Sequence, residues 1–320
     1  MAAFTILVAM PAVTLAHGDE IPQPSFPGLL LDWRLDPLPL IGVLLAAGLY
    51  LWAARQVRAH HPEHPPARWQ TVCFLAGLAA IAAALTSPIE AYADVLFSVH
   101  MVQHMLLELV AAPLLLLGAP VTLALRAASP SVRPGLLAIL HSRVISAISF
   151  PLVAWLAFAA VNWGWHFSTL YDQALENDAL HYLQHATFLG AALLFWWPVV
   201  GLDPSRWRLP YPARLFYLFL AMPQNSFLGV ALMSATEVLY PHYLTSLREW
   251  GPSALVDQSM GGILMWVMGD MVFLVAMGLV VVAWVRYEDR RTAREDARLD
   301  AELAALNPAA AGTARQPPPP

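Results

Sequence analysis

The chain has 320 residues, of which 58% are hydrophobic and only 12% charged, with a formal net charge of −5 and a mean hydropathy of +0.57. A soluble domain carries about 25% charged and roughly 45–50% apolar residues. The polar surface is therefore too scarce to coat a globule, which excludes a soluble enzyme or a disordered chain and points to a lipid bilayer.

In chain order, residues 1–16 form a short apolar stretch ending Thr14-Leu15-Ala16 before His17. It reads as a signal peptide or, since no Arg or Lys precedes it, as a short retained N-terminal helix. Cleavage after Ala16 would make His17 an N-terminal copper chelate. Residues 17–37 then form an outward-facing segment. Seven apolar stretches follow, near 38–55, 69–86, 96–124, 143–166, 179–200, 212–234 and 254–286. Each is long enough to cross about 30 Å of hydrocarbon, which takes roughly 20 helical residues. Pro113 and Pro120 predict a bend in the third. The expected fold is an all-α, polytopic seven-transmembrane-helix bundle over 38–286. The tail, 287–320, alternates Arg with acids and ends in Ala and Pro, predicting a short frayed helix followed by disorder.

The few charges orient this bundle. All 17 basic residues are Arg. Arg55, Arg58 and Arg68 follow the first span; Arg126, Arg133 and Arg143 follow the third; Arg206, Arg208 and Arg214 follow the fifth; six more lie from Arg286 onward. Only Arg34 and Arg248 fall on the other side. By the positive-inside rule the N-terminus is outside and the C-terminus cytoplasmic. The single Cys, Cys73, lies in an apolar run, which excludes an intrachain disulfide and any Cys-x-x-Cys motif. Soft-metal chemistry would have to use His and Met.

That topology gathers five of the 11 His. His100 and His104 open the third span, His166 closes the fourth, and His181 and His185 open the fifth. All five then lie at the outer ends of their helices. Each i, i+4 pair stacks two imidazoles on one face about 6 Å apart. His104 falls roughly 10–12 Å and His185 about 9 Å below the start of its helix. A polar group at that depth must be paired, hydrogen-bonded or ligating. For one His, a hydrogen bond suffices; two pairs at one level make a metal or haem ligand set. His60, His61, His64 and His141 read as solvated loop residues.

Met101 and Met105 follow the paired His, and Met260 shares a helical face with Asp257, Gly261, Met268 and Met271. Imidazole with thioether suits copper, as Cu(I), better than zinc, although Met is also common core filler. Glu108 continues the His100–His104 progression and could orient an imidazole. Asp270 lies near the bilayer middle, level with Gln224 and Asn225, and reads as a hydrogen-bonded acid. The Gly261-Gly262 pair allows close helix packing. No nucleotide loop, hydrolase triad or basic nucleic-acid patch is present, so no nucleic-acid partner is expected.

The run His100-Met101-Val102-Gln103-His104-Met105-Leu106-Leu107, with Ala112-Pro113-Leu114 and Leu117-Gly118-Ala119-Pro120, resembles the signature of the CtaG family of cytochrome c oxidase (caa-type) assembly proteins. Asn162-Trp163-Gly164-Trp165-His166, His181-x-x-Gln184-His185, Asp257-Gln258, Gly261-Gly262 and Trp266 continue the resemblance over roughly residues 35–287. Glu108 departs from it, standing where an apolar residue is expected. The resemblance implies an assembly factor of the bacterial plasma membrane, not an enzyme, that supplies copper to the membrane subunit of a terminal oxidase or its assembly intermediates. A soluble copper donor would precede it. Three other readings stand beside this one: a haem-binding protein (a b-type cytochrome or haem-modifying enzyme), a permease resembling CopD-type proteins, and a metal-free assembly scaffold.

Overall fold

The computed structural model of the protein describes residues 33–245 and 249–306. The expected leader, His17 and Arg248 lie outside them, as do residues 307–320 of the tail. The described residues form helices and connections, without strands.

Helix α1 (Pro37–His60) starts at Asp36, whose side chain accepts from Leu38 N at 2.9 Å while Pro37 occupies a first-turn position that needs no donor. It buries Tyr50, Ala53, Ala54 and Val57 and leaves Leu38, Ile41, Leu44, Leu45 and Leu49 exposed, as a lipid-facing helix does. After α2 (Arg68–Thr86), Ser87 caps the short α3 (Pro88–Ala93).

The third segment is composite: α4 (Phe97–Met105), a π-helical stretch Leu106–Ala111, α5 (Ala112–Leu117) and α6 (Pro120–Ala127). The bend expected from Pro113 appears as the π-helical widening just before it. Proline removes one donor and crowds the carbonyl four residues back. A wider turn displaces a carbonyl from its usual partner, and Trp196 Nε1 donates to Glu108 O at 2.9 Å. At Pro120 the chain breaks between α5 and α6. Ala119 there has a φ of 48°, and Asp203 accepts from Val121 N at 3.3 Å and Thr122 N at 2.7 Å, capping α6.

Helices α7 (Arg133–Leu140), α8 (Arg143–Ile148) and α9 (Pro151–His166) follow. Here the structure departs from the single stretch expected over 143–166. Ser149 ends α8, Phe150 is extended, and Pro151 restarts the helix. Hydropathy runs through this break because Phe and Pro are themselves apolar. The 16 residues of α9 reach about 24 Å, short of the hydrocarbon thickness. After α10 (Leu170–Glu176), α11 (Asp178–Val200) is capped by Asn177 and closed by left-handed Gly201. Helix α12 (Tyr211–Met233), the single turn α13 (His242–Thr245) and α14 (Ala254–Leu306) complete the described residues.

Among the described residues, six helical segments are long and apolar enough to cross a membrane: Pro37–His60, Arg68–Thr86, Phe97–Ala127, Asp178–Val200, Tyr211–Met233 and Ala254–Leu303. The described residues make an all-helical, multi-pass membrane protein. The third segment is the shared wall of two cores. Leu109, Ala112 and Leu116 face Phe158, Phe195, Trp196, Leu218 and Phe273. Leu107, Ala111 and Leu115 face Tyr50, Phe74, Leu78 and Ile81. Gly229 and Gly262 bring α12 and α14 to backbone contact, since a Cβ on Gly262 would lie 2.6 Å from Gly229 O. The described part of the tail is helical. Helix α14 runs unbroken to Leu306, with Arg291–Glu295 and Arg298–Glu302 pairs at 2.9 Å on its exposed length.

Candidate metal centre

Helix α4 carries His100 and His104 on successive turns, α11 runs beside it with His181 and His185, and α9 ends on His166. The structure brings all five imidazoles together. Ring centroids are 4.4 Å apart for His100–His104, 4.2 Å for His181–His185, 5.4 Å for His100–His181, 5.6 Å for His104–His185 and 6.4 Å for His104–His166. His100 is wholly buried and His104, His166 and His185 nearly so, whereas His181 is half-buried at the rim. One ligand atom each from His100, His181 and His185 lies within 4.8 Å of the other two.

Hydrogen bonds fix which nitrogens are available. Tyr243 OH donates to Ala93 O at 3.2 Å and so accepts from His100 Nδ1 at 3.1 Å. His100 Nε2 is then an acceptor, and His104 Nε2 donates to it at 2.9 Å. That leaves the His104 Nδ1 lone pair buried without a partner. His166 Nδ1 donates to Asn162 O at 2.7 Å, leaving its Nε2 in the same state. His181 Nε2 and His185 Nε2 are also buried without partners. Buried polar atoms normally find a partner, so four orphaned imidazole nitrogens in one cluster fit a ligand set better than a packing core. Neutral imidazole is the form that ligates.

Below the trio, a cavity of about 20 Å³ is lined by Met101, His104, Met105, Glu108, His166 and Met265, among others. Met101 and Met265 are buried in the adjoining core. Met260 is not part of this: it is 48% exposed, and Met268 and Met271 are likewise outward. The apolar wheel of α14 gave no unique inward direction. Its packed strip runs through Asp257, Gly261, Met265 and Gly269, and a Cβ on Gly261 would lie 2.4 Å from the Phe97 ring. Met265 takes the place expected for Met260.

The polar residues divide by role. Glu108 accepts from Asn162 Nδ2 at 3.1 Å, so its orienting partner is the asparagine and no imidazole. Asp257 accepts from Ser98 Oγ at 2.5 Å and fastens α14 to the first turn of α4, away from the imidazoles. Asp270 accepts from Ser226 Oγ at 2.6 Å and Asn225 Nδ2 at 3.3 Å, the interhelical polar cluster expected of it. Gln184 is fully buried with neither amide atom hydrogen-bonded. Gln103 points away from the imidazoles, donating to Ala84 O at 2.9 Å and to Glu90. Burial, with Asp94 close by, pushes the Glu90 carboxyl up to about 8, against the opposing pull of the Gln103 hydrogen bond.

Spacing did not flag the residues that roof the cluster. Tyr171 of α10, Tyr240 and Tyr243 are buried with Phe97 in one aromatic group. Tyr240 OH donates to His166 O at 3.0 Å. His242 Nε2 bonds Asp94 O at 3.0 Å and its backbone N–H donates to Asp172, tying three connections together. The run Tyr240-Pro241-His242-Tyr243 was the available signal, an aromatic and imidazole patch in an otherwise acidic loop.

No solved structure matches this chain. An uncharacterized protein of Mycobacterium bovis and one of Mycobacterium tuberculosis are each 34% identical over 297 residues, covering 90% of this chain and 44% of their own length. An uncharacterized protein of Mycobacterium leprae is 32% identical over 297 residues, covering 90% of this chain and 45% of its own. The chain thus spans less than half the length of these curated relatives. The profile of the cytochrome c oxidase caa3 assembly factors matches residues 48–287, which include every imidazole of the cluster. The chain belongs to this family, Caa3_CtaG.

Proposed function

We propose that the chain binds copper, as Cu(I), at the His100–His181–His185 trio and passes it to the membrane subunit of a terminal oxidase. The observation that carries this reading is the convergence of three imidazoles from two helices, with ligand atoms within 4.8 Å of one another. His181 and His185 each bring an orphaned nitrogen to it, and the orphaned nitrogens of His104 and His166 lie with the Met101, Met105 and Met265 thioethers around the adjoining cavity. Nitrogen and thioether donors without thiolate or a free carboxylate favour Cu(I) over zinc or the hard cations. The close contact of the imidazoles favours an ion over haem, since a macrocycle needs a slot between its axial ligands and the adjoining cavity measures about 20 Å³.

In this reading the protein is a carrier and no enzyme. It sits in the bacterial plasma membrane with seven crossings, α8 and α9 together making the fourth, and with its N-terminus outside and its tail in the cytoplasm. A soluble donor loads the outer rim. A site sunk among helices meets a membrane-embedded acceptor at similar depth, so copper can move sideways, ligand by ligand. Confinement of the imidazoles to one end of the helices favours handover over a permease, which needs ligands along the whole path.

The test is metal and haem content of the full chain purified under mild reduction. Stoichiometric copper without a Soret band is expected, and a His100→Ala, His185→Ala double variant should lose it while remaining monodisperse. Unchanged copper in that variant, or no copper in the wild type after Cu(I) loading, refutes the site.

A further inference from the structure

At the opposite end of α9 and α11 from the imidazoles, a second cavity of about 470 Å³ opens where α8 meets the connection after α11. His141, Ser146, Ser205, Arg206 and Arg208 line it beside Leu140. The cradle is held in place: Trp207 Nε1 donates to Ser146 O at 2.7 Å, and the Arg206 guanidinium lies 5.5 Å over the Trp207 ring, with Nη1 3.4 Å from Ser146 Oγ. The acid of this connection, Asp203, is turned away, buried as the cap of α6. No carboxylate therefore lines the pocket, while two guanidinium groups, an imidazole and two hydroxyls do. The apolar side chains of Ile139 and Val144 nearby are strongly exposed, and those of Phe150 and Leu202 are 39% exposed, which places the pocket at the edge of the hydrocarbon.

We propose that this pocket binds the phosphate of an anionic glycerophospholipid headgroup, whose acyl chains lie along the exposed apolar residues. Guanidinium groups match phosphate oxygens in geometry and charge, and basic pockets at helix ends recognise anionic headgroups. The site is independent of the copper reading.

The experiment uses the full chain in a non-ionic detergent, with lipid binding read by native mass spectrometry and thermal stabilisation. Phosphatidylglycerol should bind in preference to phosphatidylcholine of the same chain length. An Arg206→Gln, Arg208→Gln variant should bind it about thirty-fold more weakly, at roughly five-fold per Arg. An Arg206→Lys, Arg208→Lys variant should recover most of that loss. An Arg290→Gln, Arg294→Gln variant, which removes the same charge from the tail, should bind as the wild type does. If the first variant loses helicity, Arg208→Gln alone should still show about a five-fold loss. Equal loss in the tail variant, or equal binding of the two lipids, overturns the site. Inorganic phosphate that stabilises as strongly as phosphatidylglycerol overturns the lipid as its source.

Discussion

Glu90 gives the sharpest test of the packing around the outer end. Its carboxyl lies between α2, α3 and α4, hydrogen-bonded to Gln103, and is pushed from 4.5 up to about 8 by burial and by Asp94. A raised carboxyl holds its proton in the folded protein and releases it on unfolding over the interval between these values. Stability therefore falls as pH rises from about 4.5 to 8, and the loss is complete above 8. At about 1.36 kcal/mol per pH unit, the ceiling for a rise from 4.5 to about 8 is roughly 4–5 kcal/mol. Partial exposure of the carboxyl reduces this to roughly 2–3 kcal/mol. Glu90→Gln keeps the shape and the acceptor for Gln103 but removes the titration. Thermal midpoints followed by intrinsic fluorescence in detergent should coincide for variant and wild type near pH 4.5. The variant should then lead by several degrees at pH 9. A gap that does not change with pH, or a variant less stable at pH 9, refutes the reasoning.

Two further pairs of substitutions probe the architecture. Gly262→Ala drives a methyl to within 2.6 Å of Gly229 O and 2.7 Å of Met233 N, which should cost about 1–3 kcal/mol; Gly190→Ala, with nothing within 4 Å, should be neutral or stabilising in the same melts. Asp203→Ala strips the cap from α6 and should cost about 1–2 kcal/mol, whereas Asp203→Asn keeps an acceptor and should cost only a few tenths; equal losses would show that the cap contributes nothing.

The apolar runs made most of the membrane helices readable, because hydrocarbon demands long uninterrupted stretches and little else in a sequence supplies them. The imidazole cluster was readable for a related reason: Arg placement sets helix direction, and direction decides which His share a level. The break at Ser149-Phe150 was invisible because a hydropathy window averages over backbone conformation. Met260 was mistaken for Met265 because a helix apolar on all sides carries no periodic signal of its inward face; glycines and the polar anchors of Asp257 decided it. The π-helical turn depends on Trp196, far along the chain, to take up a carbonyl. The tyrosine roof comes from short connections that have no periodicity at all.

The imidazoles are graded in their contact with solvent: His181 is half-buried, His185 and His104 are largely covered, and His100 is sealed beneath Tyr243. Anything arriving from water meets them in sequence, one ring at a time. His181 and His185 offer nitrogens that have no partner to give up, and only the last advance displaces a hydrogen bond, the one His104 gives to His100. Such a queue sets an order of events with no moving gate. The first ring governs how quickly a visitor is captured, and the last governs how long it stays. Residence time and capture rate therefore rest on different residues, and mutation can change one without the other.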